Sequence, residues 1–348
     1  MNKALSHQLQ QGLSTKTYQD AELIVSQNGN TVFHEYVGQQ HKMPRYFDLA
    51  SLTKPLCTAL VTLKLYQDGK ISFTQKISDF FPTSIQPEKT IASLLNHTSG
   101  FVDWQPFYKT HINKTHNREI VTQDILEQLL NDKGLINPTG VCYNDLGFIL
   151  LGFILEKITN TKLNILFQNL IAKPLKLQKE LLFSDNKQNN NFFVPSAHCP
   201  YRKHTLRGDV MDLNATVLDG IAGHAGLFGT AEGINFLLIE LRKALQGKSS
   251  LFDKQKAEEF LLPNPNRSHS QRYFTLGFDT PTKNISQSGT LFSKNSIGHL
   301  GFTGTSFWWD LDNDFWVILL TNRHLGDDKN KLKYFRPQLH DFIINNLG

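Results

Sequence analysis

Apolar residues change their spacing twice along this chain. In AELIVSQNGNTVFHEYVG (21–38) they form two β-rich runs on either side of Asn28-Gly29. That dipeptide tolerates positive φ, which suits a type I′ hairpin. Toward the far end, IGHLGFTGTSFWWD (297–310) and FWVILLTNR (315–323) read as a second strand pair joined by a short Asp/Asn turn. Between these regions the spacing becomes helical, over 90–96, 122–130, 146–158, 163–171 and 231–245. Residues 3–14 predict a short helix, and KLKYFRPQLHDFIINNL (331–347) predicts a closing helix packed on the sheet. SDNKQNNN (184–191) and NPNRSHSQ (264–271) are polar connections. Strands at both ends with helices between them imply an α+β chain: one antiparallel sheet built from both termini, flanked by helices. The expected organisation is a single domain over 1–348. Residues 1–80 plus 266–348 would form an α/β subdomain, and 81–265 a mostly helical one.

Composition narrows the function classes. The chain has 348 residues, 40% hydrophobic and 19% charged, enough for a full core. No apolar stretch reaches the roughly 18–20 residues a bilayer span needs, and the first twenty residues lack the apolar core of a signal peptide. The literal expectation is a cytoplasmic protein. The net charge of +5 is spread along the chain with no basic helix, which argues against nucleic acid as partner. Cys57, Cys142 and Cys199 are odd in number and far apart, so no disulfide framework is implied. His198, Cys199 and His204 lack a second ligand pair at zinc-site spacing. Asp310, Asp312 and Asp314 alternate like the start of a calcium loop, but Phe315 and Thr321 stand where glycine and glutamate are required, so a hairpin turn is expected. GHAGLFGT (223–230) lacks phosphate-loop spacing.

The candidate chemistry lies in FDLASLTKPLCTALVTL (47–63). Ser51 and Lys54 open a run in which Leu56, Leu60 and Leu63 share a face, and Pro55 suits a first helical turn. Residues i and i+3 of a helix stand on one side, so hydroxyl and amine can meet. A serine is a poor nucleophile until its proton is taken, and a lysine takes it only when its pKa falls. Ser184 and Lys187 repeat the spacing, in a polar loop with no helix around them. Two further stretches matter. GVCYNDLGFILLG (140–152) sets Tyr143, Asn144 and Asp145 before a buried helix, and the strand stretch at 297 carries His299 and Gly301.

In order and spacing these three elements resemble the Ser-x-x-Lys, Tyr-x-Asn and Lys/His-Thr-Gly signatures of the serine β-lactamase and penicillin-binding-protein superfamily. The similarity runs from about residue 20 to the C-terminus and is closest to the branch of class C β-lactamases, D-alanyl-D-alanine carboxypeptidases, D-aminopeptidases and related esterases. SLLNHTSGF (93–101) and AGHAGLFGTAEG (222–233) resemble that branch too. The resemblance implies a serine hydrolase working through an acyl-serine intermediate on an ester or amide, with no cofactor, on a small molecule or short peptide. It makes Ser51 the nucleophile, Lys54 its base or the group that tunes Tyr143, and Tyr143 the proton shuttle. The backbone amides of Ser51 and Phe302 become the oxyanion donors, with Gly301 letting substrate approach the strand edge. Asp145 replaces the usual asparagine and, if ionised, would keep Lys54 protonated, which favours Tyr143 as base. His299 would be charged only in part at neutral pH. Leu300 replaces the threonine that helps bind a substrate carboxylate, so efficient β-lactam or carboxypeptidase turnover is less expected than esterase or amidase action. Thr303 or Thr305 could stand nearby. Two other readings remain: a binding or scaffold protein on the same fold, and a periplasmic D-Ala-D-Ala carboxypeptidase.

Overall fold

A computed structural model describes residues 2–39, 43–112, 117–136, 140–184, 191–268, 270–283 and 286–347. Lys187, most of the 184–191 connection and His269 lie outside the described residues. Five strands form the main sheet: β1 (Ala21–Gln27), β2 (Asn30–Val37), β3 (Ser296–Leu300), β4 (Ser306–Asp310) and β5 (Phe315–Thr321). Their order is β2-β1-β5-β4-β3, with every pairing antiparallel. The chain's two ends therefore meet in the middle of one sheet, where Ala21 pairs with Thr321 and Gln27 with Phe315.

The β1–β2 turn has the expected form, with φ of 53° at Asn28 and 82° at Gly29. One expectation changes: 297–310 is two strands rather than one. The chain turns through Gly301–Thr305, where Gly301 N–H donates to Thr305 O at 2.7 Å, and Gly304 takes φ of 114°. Apolar residues on both sides of that turn hid it, because Phe302 is exposed at the edge rather than buried in the sheet. The 310–314 acidic stretch forms the β4–β5 turn, with Asp310 accepting the Asp312 and Asn313 N–H groups.

The helices used below are α1 (Asn2–Ser14), α2 (Leu60–Gln67), α3 (Leu146–Thr159), α4 (Ala231–Leu245) and α5 (Lys331–Asn346). Alternation along the strands sorts side chains to the two faces of the sheet. Leu23, Val25, Val317 and Leu319 join Leu5 and Leu9 of α1 and Leu339 and Ile343 of α5 in one core. Ile24, Trp316, Ile318 and Leu320 join α2, α3 and α4 in the other. Both faces being covered explains why β5 is apolar at nearly every position. Asn235 of α4 fastens the second layer: its Oδ1 accepts from Ser26 Oγ and Trp316 Nε1, each at 2.8 Å. A smaller sheet pairs Phe47–Asp48 with Leu227–Gly229, and that with Leu181–Phe183. His198–Cys199 and His204–Thr205 form a two-strand ribbon. No helix among the described residues is long and apolar enough to cross a membrane.

Candidate active site

The segment carrying Ser51 leaves the small sheet at Asp48 and bends sharply at Ala50, whose φ of 47° is left-handed. Asp48 holds this bend: one carboxylate oxygen accepts Ala50 N–H at 2.9 Å and the other Met211 N–H at 2.7 Å. Burial pushes the Asp48 carboxyl up to about 6. Thr53 secures the next turn, donating to Ala50 O at 2.6 Å and accepting Leu227 N–H at 3.1 Å.

Ser51 sits in a single 3₁₀ turn, Ala50–Leu52, after which Lys54–Ala59 widens to a π-helix before α2 begins. Such wide turns recur at functional positions. The expected one-sided apolar face is surpassed, for every residue from Leu52 to Leu63 is buried. The polar ones find partners within the core: Thr58 donates to Gly223 O at 2.6 Å and Thr62 to Thr58 O at 2.8 Å.

Lys54 is fully buried. Its Nζ lies 3.0 Å from Ser51 Oγ, 3.0 Å from Tyr143 Oη and 2.6 Å from Asp145 Oδ1. The fourth neighbour is the His224 carbonyl oxygen, at 3.4 Å. Burial works against this ammonium, but Asp145 and then Tyr143 outweigh it and hold Lys54 above its ordinary value. The lowered lysine that simple base catalysis would need is thus absent in the resting site. Tyr143 is also raised, chiefly by burial and against the opposing pull of Lys54. At rest the site holds an ammonium, a carboxylate and two neutral hydroxyls.

Asp145 precedes α3, and its N–H donates to Asp103 O at 2.9 Å. Asn144 beside it is structural: its Oδ1 accepts Gly147 N–H at 2.8 Å and its Nδ2 donates to Cys142 O at 2.7 Å. His97, from the 93–101 stretch, is buried at φ of 61° beneath Tyr143, with ring centroids 4.7 Å apart. Its Nδ1 accepts Asn144 N–H at 3.2 Å, and burial drives it well below the usual histidine value, so it is a neutral support for the tyrosine.

His299 differs from expectation. It is 2% exposed, and burial followed by the Lys54 charge lowers it to about 3. The ring is neutral at pH 7 and contributes no positive charge. Nδ1 faces Leu300 O at 2.9 Å and must carry the proton, because a carbonyl only accepts. Nε2 is then a buried acceptor without a partner among the described residues. Gly301 also has a reason beyond the one expected. A Cβ there would lie 2.0 Å from Thr305 Oγ1 and 2.7 Å from Leu49 O. Glycine lets the turn close on the Ser51 segment, and Gly301 also lines the chamber beside Ser51. Thr303 and Thr305 turn the same way, donating to Asp48 O at 2.7 Å and Leu49 O at 3.2 Å. Neither hydroxyl replaces the one that Leu300 lacks. Phe302 is 57% exposed, and its N–H meets no protein acceptor among the described residues. Its carbonyl accepts from Arg323 Nε at 2.7 Å and His324 Nε2 at 2.8 Å, which holds the following peptide, Phe302–Thr303, in place.

Two chambers meet where Ser51, Tyr143 and Phe302 line both. One, of about 540 Å³, is walled by Trp104, Tyr108, Tyr201, Leu206 and Leu213. The other, of about 500 Å³, is walled by His299, Leu300 and several basic residues.

Comparison with known proteins agrees with this geometry. A family model described as Beta-lactamase matches residues 6–340. The chain belongs to the β-lactamase family. An N-acetylmuramyl-L-alanine amidase of Bacillus subtilis (strain 168) is 32% identical over 308 residues, covering 80% of this chain and 68% of that protein. A putative D-alanyl-D-alanine carboxypeptidase of Salmonella agona (strain SL483) is 28% identical over 317 residues, covering 80% and 69%. Among solved structures, the octameric penicillin-binding protein homologue from Pyrococcus abyssi superposes with a TM-score of 0.74 at 15% identity, covering 99% of this chain and 77% of that one. The fold is that of β-lactamases and transpeptidases, and as a member of this β-lactamase family the chain is a serine hydrolase.

Two residues beside this site, Asp48 and Asp212, were not legible in the sequence, and a third, His224, only faintly. His224 Nε2 donates to Asp212 at 2.9 Å. Burial raises Asp212, but His224 outweighs it and the carboxyl ends below its ordinary value. Asp145, Asp212 and His224 bring ligand-type atoms within 4.8 Å of one another. Lys54 lies 2.6 Å from Asp145 and His224 2.9 Å from Asp212, so each carboxylate already has a protein partner. A second set, Glu22, His34 and Glu232, has Arg45 on Glu22 at 2.9 Å. Only the phrase AGHAGLFGTAEG hinted at His224, through its likeness to the family.

Proposed function

We propose that Ser51 is acylated by esters or amides, that Lys54 and Tyr143 move the protons, and that the Ser51 and Phe302 backbone amides receive the oxyanion. The observation that carries this reading is one buried amine 3.0 Å from both hydroxyls. A proton shift along the 2.6 Å contact from Lys54 to Asp145 turns the ammonium into a free amine. The amine takes the Ser51 proton as Oγ bonds to the carbonyl carbon. Tyr143 then gives its proton to the departing oxygen or nitrogen and is refilled from Lys54. Water attacks the acyl-serine by the same transfers, which frees the acid and restores Ser51. His299 supplies an acceptor, Nε2, toward a substrate N–H. Leu300 disfavours substrates whose carboxylate must be held at that position of β3, so β-lactams are expected to be poor substrates.

The substrate would be a small molecule or short peptide, matched to chambers of this size, and nucleic acid is not the partner. We also propose that the chain works as one unit over 1–348. Residues 1–80 and 266–348 would supply Ser51 and His299, and 81–265 would supply Tyr143 and Asp145.

The test is labelling by a fluorophosphonate probe together with hydrolysis of p-nitrophenyl esters, a chromogenic cephalosporin and D-amino-acid peptides. Labelling and ester turnover lost in Ser51→Ala support the reading; an unlabelled Ser51 beside a labelled control enzyme ends it. A second reading, a weakly active binding or scaffold protein, is favoured by Lys54 and Tyr143 both holding their protons at rest. Ester hydrolysis that depends on Ser51 removes it. A third, the D-Ala-D-Ala carboxypeptidase that the Salmonella relative is named for, requires release of terminal D-alanine in the same panel.

A further inference from the structure

The chamber beside His299 carries more positive charge than the protein itself neutralises. Its wall includes Arg272, Arg323, Lys333 and Arg336, with Asp279 as the acid among them. Arg272 is paired with Asp279 at 3.1 Å. The other three have no carboxylate within ion-pair distance among the described residues. Arg336, on α5, is 4% exposed. Its Nη2 donates to Gly304 O at 2.8 Å, whereas its Nε is buried with no partner among the described residues. Burial lowers this guanidinium to about 9, and Arg323 adds to the effect. Arg323 is half-buried and uses Nε on the Phe302 carbonyl. Lys333, one turn before Arg336 on the same helix, is exposed at the chamber wall.

A guanidinium buried without an anion is costly, and the usual remedy is an acid from the protein. Here none is supplied, although an acidic side chain at Asn330 or Gln287 of the same wall would have served. Meanwhile the strand position where a positive charge was expected, His299, is neutral. The chamber's charge therefore comes from the α5 side and not from the β3 edge. One carboxylate would offset only one of three cations. Arginine and lysine together on a concave wall suit an oxyanion with several acceptor atoms.

We propose that this chamber binds a dianionic group of the substrate, a phosphomonoester or a pair of carboxylates, through Arg323, Lys333 and Arg336. The proposal rests on Ser51 being the acylated residue, since the chamber opens on it. The aromatic chamber on the other side of Ser51 takes the remaining, less polar half. Substrates are thus bipolar: apolar or ring-shaped on one side of the scissile bond, doubly charged on the other.

The test uses matched esters with one aromatic half and, on the other side of the scissile bond, a neutral amide, a single carboxylate, two carboxylates or a phosphomonoester. The series is made in both orientations, with the charged end on the acyl or the leaving side. In one orientation the wild type is expected to favour a dianion over both the neutral and the singly charged ester by at least about tenfold in kcat/KM. The two dianionic arms separate phosphate from dicarboxylate chemistry. The dianion-to-neutral ratio should fall by about tenfold or more in Lys333→Gln and in Arg336→Gln, and stay in place in Lys248→Gln, an exposed lysine outside the chamber. Calorimetry with inorganic phosphate and with succinate reads the site without turnover, and one of the two should bind wild type more tightly than Lys333→Gln. Equal use of neutral and dianionic esters, or equal preference for one carboxylate and two, overturns the proposal while leaving the hydrolase reading intact. An enzyme that turns over no ester and leaves Ser51 unlabelled fails the hydrolase reading instead; the dianion site then stands or falls on the calorimetry.

Discussion

At the scale of single residues, the site depends on how four groups share three protons. Lys54 keeps its proton because Asp145, 2.6 Å away, outweighs the cost of burying a charge. An asparagine, the residue more usual in the family at this position, would remove that anion, leaving Tyr143 alone to oppose burial and Lys54 without its proton acceptor. We therefore expect Asp145→Asn to move the acidic limb of the kcat/KM–pH profile up by roughly one unit or more, since Lys54 must then give its proton to solvent. A limb that stays in place would show that Asp145 does not govern Lys54. Tyr143→Phe keeps the ring over His97 but removes the hydroxyl that would feed the leaving group. Its kcat on amides should fall by about 10²–10⁴-fold, and by less on p-nitrophenyl esters, whose leaving group needs no proton. Equal losses on both substrates would contradict a leaving-group role.

At the scale of elements, the site is held by a clamp between the β3–β4 turn and the segment before Ser51. Thr303 and Thr305 donate to the carbonyls of Asp48 and Leu49, and Gly301 leaves the space in which Leu49 O sits. Thr305→Val preserves shape and removes one of the two donors to Leu49 O, leaving it the Leu52 N–H at 2.9 Å. Stability should drop by about 0.5–1.5 kcal/mol in chemical denaturation, with a loss of kcat as Ala50 relaxes. A variant as stable and active as wild type would exclude the clamp. This clamp was not legible in the sequence, where Thr303 and Thr305 read as strand hydroxyls and Gly301 as room for substrate. Direction of a side chain in a turn is set by tertiary neighbours, and the turn itself was hidden by flanking aromatics. What was legible came from periodicity and motif order: the terminal strands, the helix over 146–158, and Ser51, Lys54, Tyr143 and Asp145, which the fold brings within 3.0 Å of one amine. The neutrality of His299 was not, because it depends on burial and on a lysine 245 positions away in the chain.

At the scale of the whole molecule, closing the sheet from both chain ends buries several histidines as neutral rings. His299 and His340 are each lowered to about 3, both chiefly by burial, and His97 lies well below its ordinary value. Each binds a proton in the unfolded chain near 6.5 but not in the folded one. The stability they contribute is therefore present above pH 6.5 and lost as pH falls from there toward 3. At pH 5 the loss is on the order of 2 kcal/mol for each of His299 and His340. Asp212, held low by His224, adds a further acid-side loss. Asp48, raised to about 6, acts oppositely, since the folded state binds its proton more readily between pH 3.8 and 6. Asp279, Glu232 and His34 are raised too and act as Asp48 does. His299 and His340, however, are displaced further from 6.5 than Asp48 is from 3.8, so the melting temperature should decline between pH 7 and pH 4.5. His340→Gln should flatten that decline; an unchanged slope would place the acid sensitivity elsewhere. The central claim, that three distant segments form one acylating centre, is tested most directly by trapping the intermediate. Protein quenched in acid during turnover of a p-nitrophenyl ester and mapped by peptide mass spectrometry should carry the acyl group on Ser51. The adduct should be absent in Ser51→Ala and strongly reduced in Lys54→Ala. Turnover with the acyl group on another residue, or undiminished turnover in Ser51→Ala, would contradict the account.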